Sequence, residues 1–102
     1  MAKRVVREWV SEDLFELGSP KVENAVFAGI KASDMEEAYK IVARCLHKYV
    51  KGEWDYITEE EREHNKRQIA KGGLINVKFR TEIGTLRIMT SDDRVETLVK
   101  MA

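Results

Sequence analysis

The amino-acid sequence predicts an α+β fold, with two helices packed on an antiparallel sheet of about four to five short strands. Residues 34–71 hold two segments of helical character, each followed by glycine. The segments after residue 74 alternate apolar and polar residues, as half-buried strands do. The length of 102 residues favours a single domain spanning residues 1–102.

The first third of the chain predicts two strands. Residues 3–10 alternate in character and form the first predicted strand. Residues 11–17 fit either a helical turn or an extended segment, and the Gly-Ser-Pro sequence at 18–20 breaks the chain. Residues 22–30 include a short uncharged run bounded by turn signals, which predicts a central, buried strand.

The segment from Asp34 to about Lys51 predicts the first long helix. Asp34 and Glu37 have the spacing of a capping box, and Gly52 can adopt the left-handed conformation that ends a helix. Seven residues fall on one face at helical spacing and form the predicted apolar stripe: Met35, Ala38, Tyr39, Val42, Cys45, Leu46 and Tyr49.

The second helix is predicted from the capping box at residues 58–61 to about Lys71, before Gly72 and Gly73. It is very polar, so it should lie on the surface. Its apolar contacts are expected from Tyr56, Ile57 and Ile69.

Three further segments predict the C-terminal strands. Residues 75–79 and 86–88 alternate apolar and polar residues on either side of a hairpin-length loop at 81–84. Residues 91–93 then form a turn. Residues 94–101 fit a strand or a short helix, and the alternation of Val95, Thr97 and Val99 favours the strand.

Composition limits the function. Eighteen basic and eighteen acidic residues cancel, which gives no general attraction to nucleic acid or anionic membranes. Cys45 is the sole cysteine, so an internal disulfide and a cysteine-rich zinc site are excluded. No signal segment or membrane-length apolar run is seen, and we expect a cytoplasmic protein.

No set of residues indicates catalysis or a cofactor. Glu60 and His64 have the helical spacing of two metal ligands, but the sequence offers no third. Cys45 and His47 would point in different directions on one helix and could not share a proton. We therefore expect no enzyme, cofactor or metal.

The predicted binding residues are Trp54, a charged turn and three basic residues of the C-terminal hairpin. Asp92, Asp93 and Arg94 form a charged turn that could contact a partner, or an ordinary Asx turn with an internal ion pair. Trp54 lies between the helices, either as a half-buried lid or as an exposed hot spot. Three basic residues should share the outer face of the C-terminal hairpin, as an anion-binding patch or a solvated strand face: Lys78, Arg80 and Arg87.

The second half of the chain resembles a family of small uncharacterised proteins encoded on bacterial plasmids, prophages and related elements. The residues that carry the resemblance are His47, Gly52, Glu53, Trp54, Glu60, Glu61, Asn65, Gly72, Gly73, Gly84, Thr90, Asp92, Asp93 and Arg94. Arg87 stands where that family has an aromatic residue, and residues 1–30 do not match. The resemblance implies an accessory protein of a mobile element.

These observations lead to three functional hypotheses. The first is a non-enzymatic, inhibitor-like protein that binds a host or defence macromolecule, most simply a protein. The second is a binder of small molecules or signalling nucleotides, with a site completed across a possible homodimer. The third, disfavoured by the charge balance, is a nucleic-acid-binding regulator.

Overall fold

The computed structural model describes residues 13–102, and its architecture is α+β, as predicted. The strand predicted over residues 3–10 lies outside the described residues. The described strands are β1 (Ser19–Val22), β2 (Ile75–Thr81), β3 (Gly84–Thr90) and β4 (Glu96–Met101). The described helices are the one-turn α1 (Asn24–Phe27) and the longer α2 (Met35–Lys51) and α3 (Glu59–Lys71).

The four strands form one mixed sheet in the order β1-β4-β3-β2. β2, β3 and β4 are antiparallel, but β1 pairs parallel to β4. The prediction of an antiparallel sheet is therefore wrong at this edge. Parallel neighbours need a long crossover connection, and all the other described helices and strands lie between β1 and β4 in the sequence.

The strand predicted over residues 22–30 is also wrong. β1 ends at Val22, and the uncharged run that follows forms α1 and a turn at Gly29, where φ is 83°. Only Val26 in this run is buried. Pro20, predicted as part of a break, lies in β1, where an edge strand tolerates a residue with no N–H to donate.

Helix α2 covers the inner face of the sheet. Its buried stripe differs from the predicted one, because Ile41 and Val50 are buried while Tyr39 is 58% exposed. Asp34 ends a 3₁₀ turn and makes no side-chain cap, so the capping box predicted there is wrong. Gly52, with φ of 79°, ends the helix in the left-handed conformation as predicted.

Helix α3 begins with the predicted capping box, in which Thr58 and Glu61 exchange hydrogen bonds. The helix contacts β2 through Asn65, which is only 2% exposed. The Asn65 side chain donates to the Asn76 carbonyl at 3.0 Å and accepts from the Asn76 N–H at 3.0 Å. One amide side chain thus pairs with β2, an edge strand of the described sheet, as a neighbouring strand would.

Buried hydroxyl groups tie α2 to the sheet. Tyr49 and Thr90 are hydrogen-bonded through their hydroxyls at 2.7 Å, and Thr90 and Thr97 at 2.8 Å. The Thr97 hydroxyl also donates to the Leu17 carbonyl at 2.7 Å. Burial raises the pKa of the Tyr49 phenol well above its ordinary value, partly offset by the hydrogen bond with Thr90.

Candidate functional site

The outer face of the sheet carries a row of three basic residues. Lys78 on β2 lies opposite Arg87 on β3, and Arg87 lies opposite Lys100 on β4. The residues preceding or following them in each strand are fully buried on the inner face: Val77, Ile88 and Val99. Because side chains alternate along a strand, Lys78, Arg87 and Lys100 all project from the outer face. We call these three residues the basic row.

A second row on the same face is mainly uncharged. Asn76, Met89 and Leu98 occupy neighbouring positions on β2, β3 and β4, and Lys21 on β1 extends the row. Met89 and Leu98 are half-buried. The outer face therefore presents two partly exposed apolar side chains directly beside three positive charges.

A groove of about 440 Å³ lies between helix α3 and this face. Lys78 and Arg87 line its sheet side, and Glu60, Glu61 and His64 line its helix side. The hydrogen bond from the Thr58 backbone N–H lowers the pKa of Glu61, and the nearby charges of Lys78 and Arg87 act in the same direction.

The three bases predicted on the hairpin do not form a single cluster. Lys78 and Arg87 are directly paired across strands, and Arg87 Nη1 donates to the Asn76 side-chain oxygen at 3.0 Å. Arg80 instead lies over the Tyr56 ring, with its guanidinium carbon 5.9 Å from the ring centroid. Lys100 joins the row, and the sequence prediction missed it.

The charged turn after β3 is held by internal hydrogen bonds. Asp93 Oδ1 accepts from the Ser91 hydroxyl at 2.6 Å and from the Val95 N–H at 3.0 Å. The Ser91 hydrogen bond lowers the pKa of the Asp93 carboxyl, with a further contribution from Val95. Asp92 is exposed and forms no hydrogen bond or ion pair with the described residues.

Arg94 and Trp54 contribute to the architecture. The Arg94 guanidinium donates to the backbone carbonyls of Gln68, Gly73 and Ser91, joining the end of α3 to the turn. Trp54 is 0% exposed, and its indole N–H donates to the Tyr49 carbonyl at 2.8 Å. The side chain predicted as a half-buried lid is thus fully buried, and its surface is not accessible to a partner.

Similarity to known proteins assigns no function to this chain. No family model, curated protein or solved structure matches the chain. Among residues 13–102, no three histidine, cysteine or acidic residues are grouped as metal ligands would be. Within the same range, no helix is long and apolar enough to cross a bilayer.

Proposed function

We propose that this protein acts by binding another protein, and that the basic row contacts an acidic surface of that partner. The proposal retains the non-enzymatic, inhibitor-like role expected from the sequence. The host or defence proteins implied by the resemblance to mobile-element proteins are the partner class to examine first.

The alignment of the basic row is the observation that supports this proposal. Neighbouring strands are about 4.8 Å apart, so the three basic side chains leave the sheet from backbone positions within about 10 Å of one another. Like charges placed directly opposite each other destabilise a sheet. An acidic partner would relieve this repulsion, and Met89 and Leu98 would add apolar contact beside the charges.

The chemistry of the face favours a protein over nucleic acid or a second copy of this chain. No aromatic side chain lies in either row, so the face lacks the stacking surface that single-stranded nucleic acid requires. Two copies joined through their basic rows would bring six positive charges together. The possible homodimer would therefore need another surface.

Charge reversal tests the proposal. Lys78→Glu and Lys100→Glu should each prevent capture of the partner from lysate of the native host, while their melting temperatures stay within a few degrees of the wild type. Arg67→Glu, an exposed change on α3, is the matched control and should retain the partner. An acidic-to-lysine change in the partner should restore binding to Lys100→Glu.

Two results would refute the role of the basic row. One is full retention of every captured protein by both lysine variants. The other is binding whose affinity does not weaken as salt rises, because contacts between exposed charges are screened by salt.

A further inference from the structure

A second concavity, which we call the α2 pocket, lies on the helix-bearing side of the sheet. It has a volume of about 460 Å³ and opens between the middle of α2 and the end of β2. This volume is within the range of about 300–1,000 Å³ typical of small-ligand sites. Its lining includes Ile41, Arg44, Lys48, Phe79, Arg80 and Glu82.

Two side chains of α2 bring positive charge to the pocket. Arg44 and Lys48 are four residues apart on α2 and so share one face of the helix. Arg80 also lines the pocket, but its guanidinium lies over the Tyr56 ring. Lys48 is 3.5 Å from Asp55, but that pair is largely exposed and so contributes little to stability. Arg44 forms no hydrogen bond or ion pair with the described residues.

Cys45, a buried residue of α2, also lines the pocket. Burial raises the pKa of the Cys45 thiol, while Lys48 and then Arg44 oppose that shift. Glu82 acts in the opposite direction. Arg44 and Lys48 are therefore near enough to act on the Cys45 thiol, and Glu82 adds one carboxylate to the lining.

The lining combines features that suit a particular ligand chemistry. A phosphate monoester carries up to two negative charges, which Arg44 and Lys48 can bind by charge-assisted hydrogen bonds. Glu82 would repel a second anionic group but can accept hydrogen bonds from hydroxyls. Ile41 and Phe79 provide an apolar floor.

We propose that the α2 pocket binds a small phosphate monoester whose body carries hydroxyl groups, as a nucleoside monophosphate or a sugar phosphate does. The phosphate would lie against Arg44 and Lys48, and the hydroxyls against Glu82. The site is separate from the basic row, so it stands or falls independently of the proposed protein partner.

Titration followed by amide ¹H–¹⁵N NMR spectra tests the site. AMP and glucose 6-phosphate are the two probes, with adenosine, glucose and inorganic phosphate as comparisons. At least one ester should shift the signals of residues 41–48 and 79–82, and adenosine and glucose should not. A response to AMP alone would identify a nucleotide site, and a response to both esters a broader phosphate-ester site.

Two variants test the assigned contacts. Arg44→Gln and Lys48→Gln should each weaken ester binding by about 10-fold or more, since a charged hydrogen bond is worth at least about one decade of affinity. Arg67→Gln, which changes an exposed cation on α3, should bind like the wild type.

Three results would overturn the inference. The first is no shift with either ester at about 10 mM, a concentration beyond weak millimolar binding. The second is shifts centred on the basic row at residues 78, 87 and 100. The third is equal affinity for inorganic phosphate and for both esters, which would remove the role of the hydroxyl-bearing body.

Discussion

Replacing Arg94 with alanine should destabilise the protein, because its guanidinium joins two elements that are distant in sequence. Nη1 donates to the Gly73 carbonyl at 2.7 Å and to the Ser91 carbonyl at 2.9 Å, and Nη2 donates to the Gln68 carbonyl at 3.2 Å. Gln68 and Gly73 lie at the end of α3, where a positive charge also faces the negative end of the helix dipole.

The size of the effect follows from these contacts. A hydrogen bond to a charged group contributes about 1.5–3 kcal/mol. Arg94 is only half-buried, so water can reach some of the carbonyls once the side chain is removed. We therefore expect Arg94→Ala to lower the free energy of unfolding by about 2–4 kcal/mol. For a domain of this length, that loss should lower the melting temperature by roughly 10–20 °C.

A second variant separates the side chain from the backbone. Arg94 has φ of 60°, a left-handed conformation that costs a residue with a Cβ about 1 kcal/mol relative to glycine. Arg94→Gly should therefore be about 1 kcal/mol more stable than Arg94→Ala. Asp92→Ala is the control in the same turn, and its effect should stay within about 0.5 kcal/mol, as for other contact-free surface changes.

Urea unfolding followed by tryptophan fluorescence measures all three variants, since Trp54 is fully buried. A loss below about 0.5 kcal/mol for Arg94→Ala, the size of an ordinary surface change, would refute the assigned role in joining α3 to the turn. If Arg94→Ala kept its stability but no longer bound the partner, the turn would instead be a contact surface. A glycine variant less stable than the alanine variant would refute the backbone reasoning.

Two further predictions concern buried polar groups. Asn65→Ala should lower the free energy of unfolding in urea by about 2–4 kcal/mol, because it leaves the backbone N–H and carbonyl of Asn76 unpaired. Lys66→Ala, which changes the exposed neighbouring residue, should lower it by under about 0.5 kcal/mol. Equal losses would contradict the edge-pairing role of Asn65. Tyr49→Phe tests the pH dependence of stability. In the folded protein the phenol has a raised pKa and keeps its proton, while in the unfolded chain it ionises near pH 10. The contribution of Tyr49 to stability is therefore full below about pH 10 and falls above it. The stability advantage of the wild type over this variant should therefore shrink by about 1.4 kcal/mol between about pH 9 and pH 11, and a constant difference would show that Tyr49 ionises equally in both states.

The elements that could be predicted from sequence are those with local signals. The capping box joins Thr58 and Glu61, which are three residues apart, and Gly52 directly follows the last residue of α2. The strict alternation in β2 and β3 likewise identifies their buried faces. The run after Val22 has no such signal, because a short uncharged stretch can form a strand or a helical turn, and here only Val26 is buried.

The site depended more strongly on contacts that are distant in sequence. Lys78 and Arg87 could be placed on one face from alternation within a hairpin. Lys100 joins them only through the register between β3 and β4. In the same way, the hydrogen bonds of Arg94 to residues more than 20 positions earlier depend on where α3 ends in space. Neither relationship is expressed in a local pattern.

The position of β4 has a consequence for the order in which the molecule assembles. Among the described strands β1 pairs only with β4, so this pairing cannot form before β4 is available. The Thr97–Leu17 hydrogen bond joins residues 80 positions apart, whereas the β2–β3 hairpin closes over a short turn. Since closing a long loop costs more entropy than closing a short one, β2 and β3 can pair early in folding. The pairing of residues 19–22 with β4 should therefore form later than the β2–β3 hairpin.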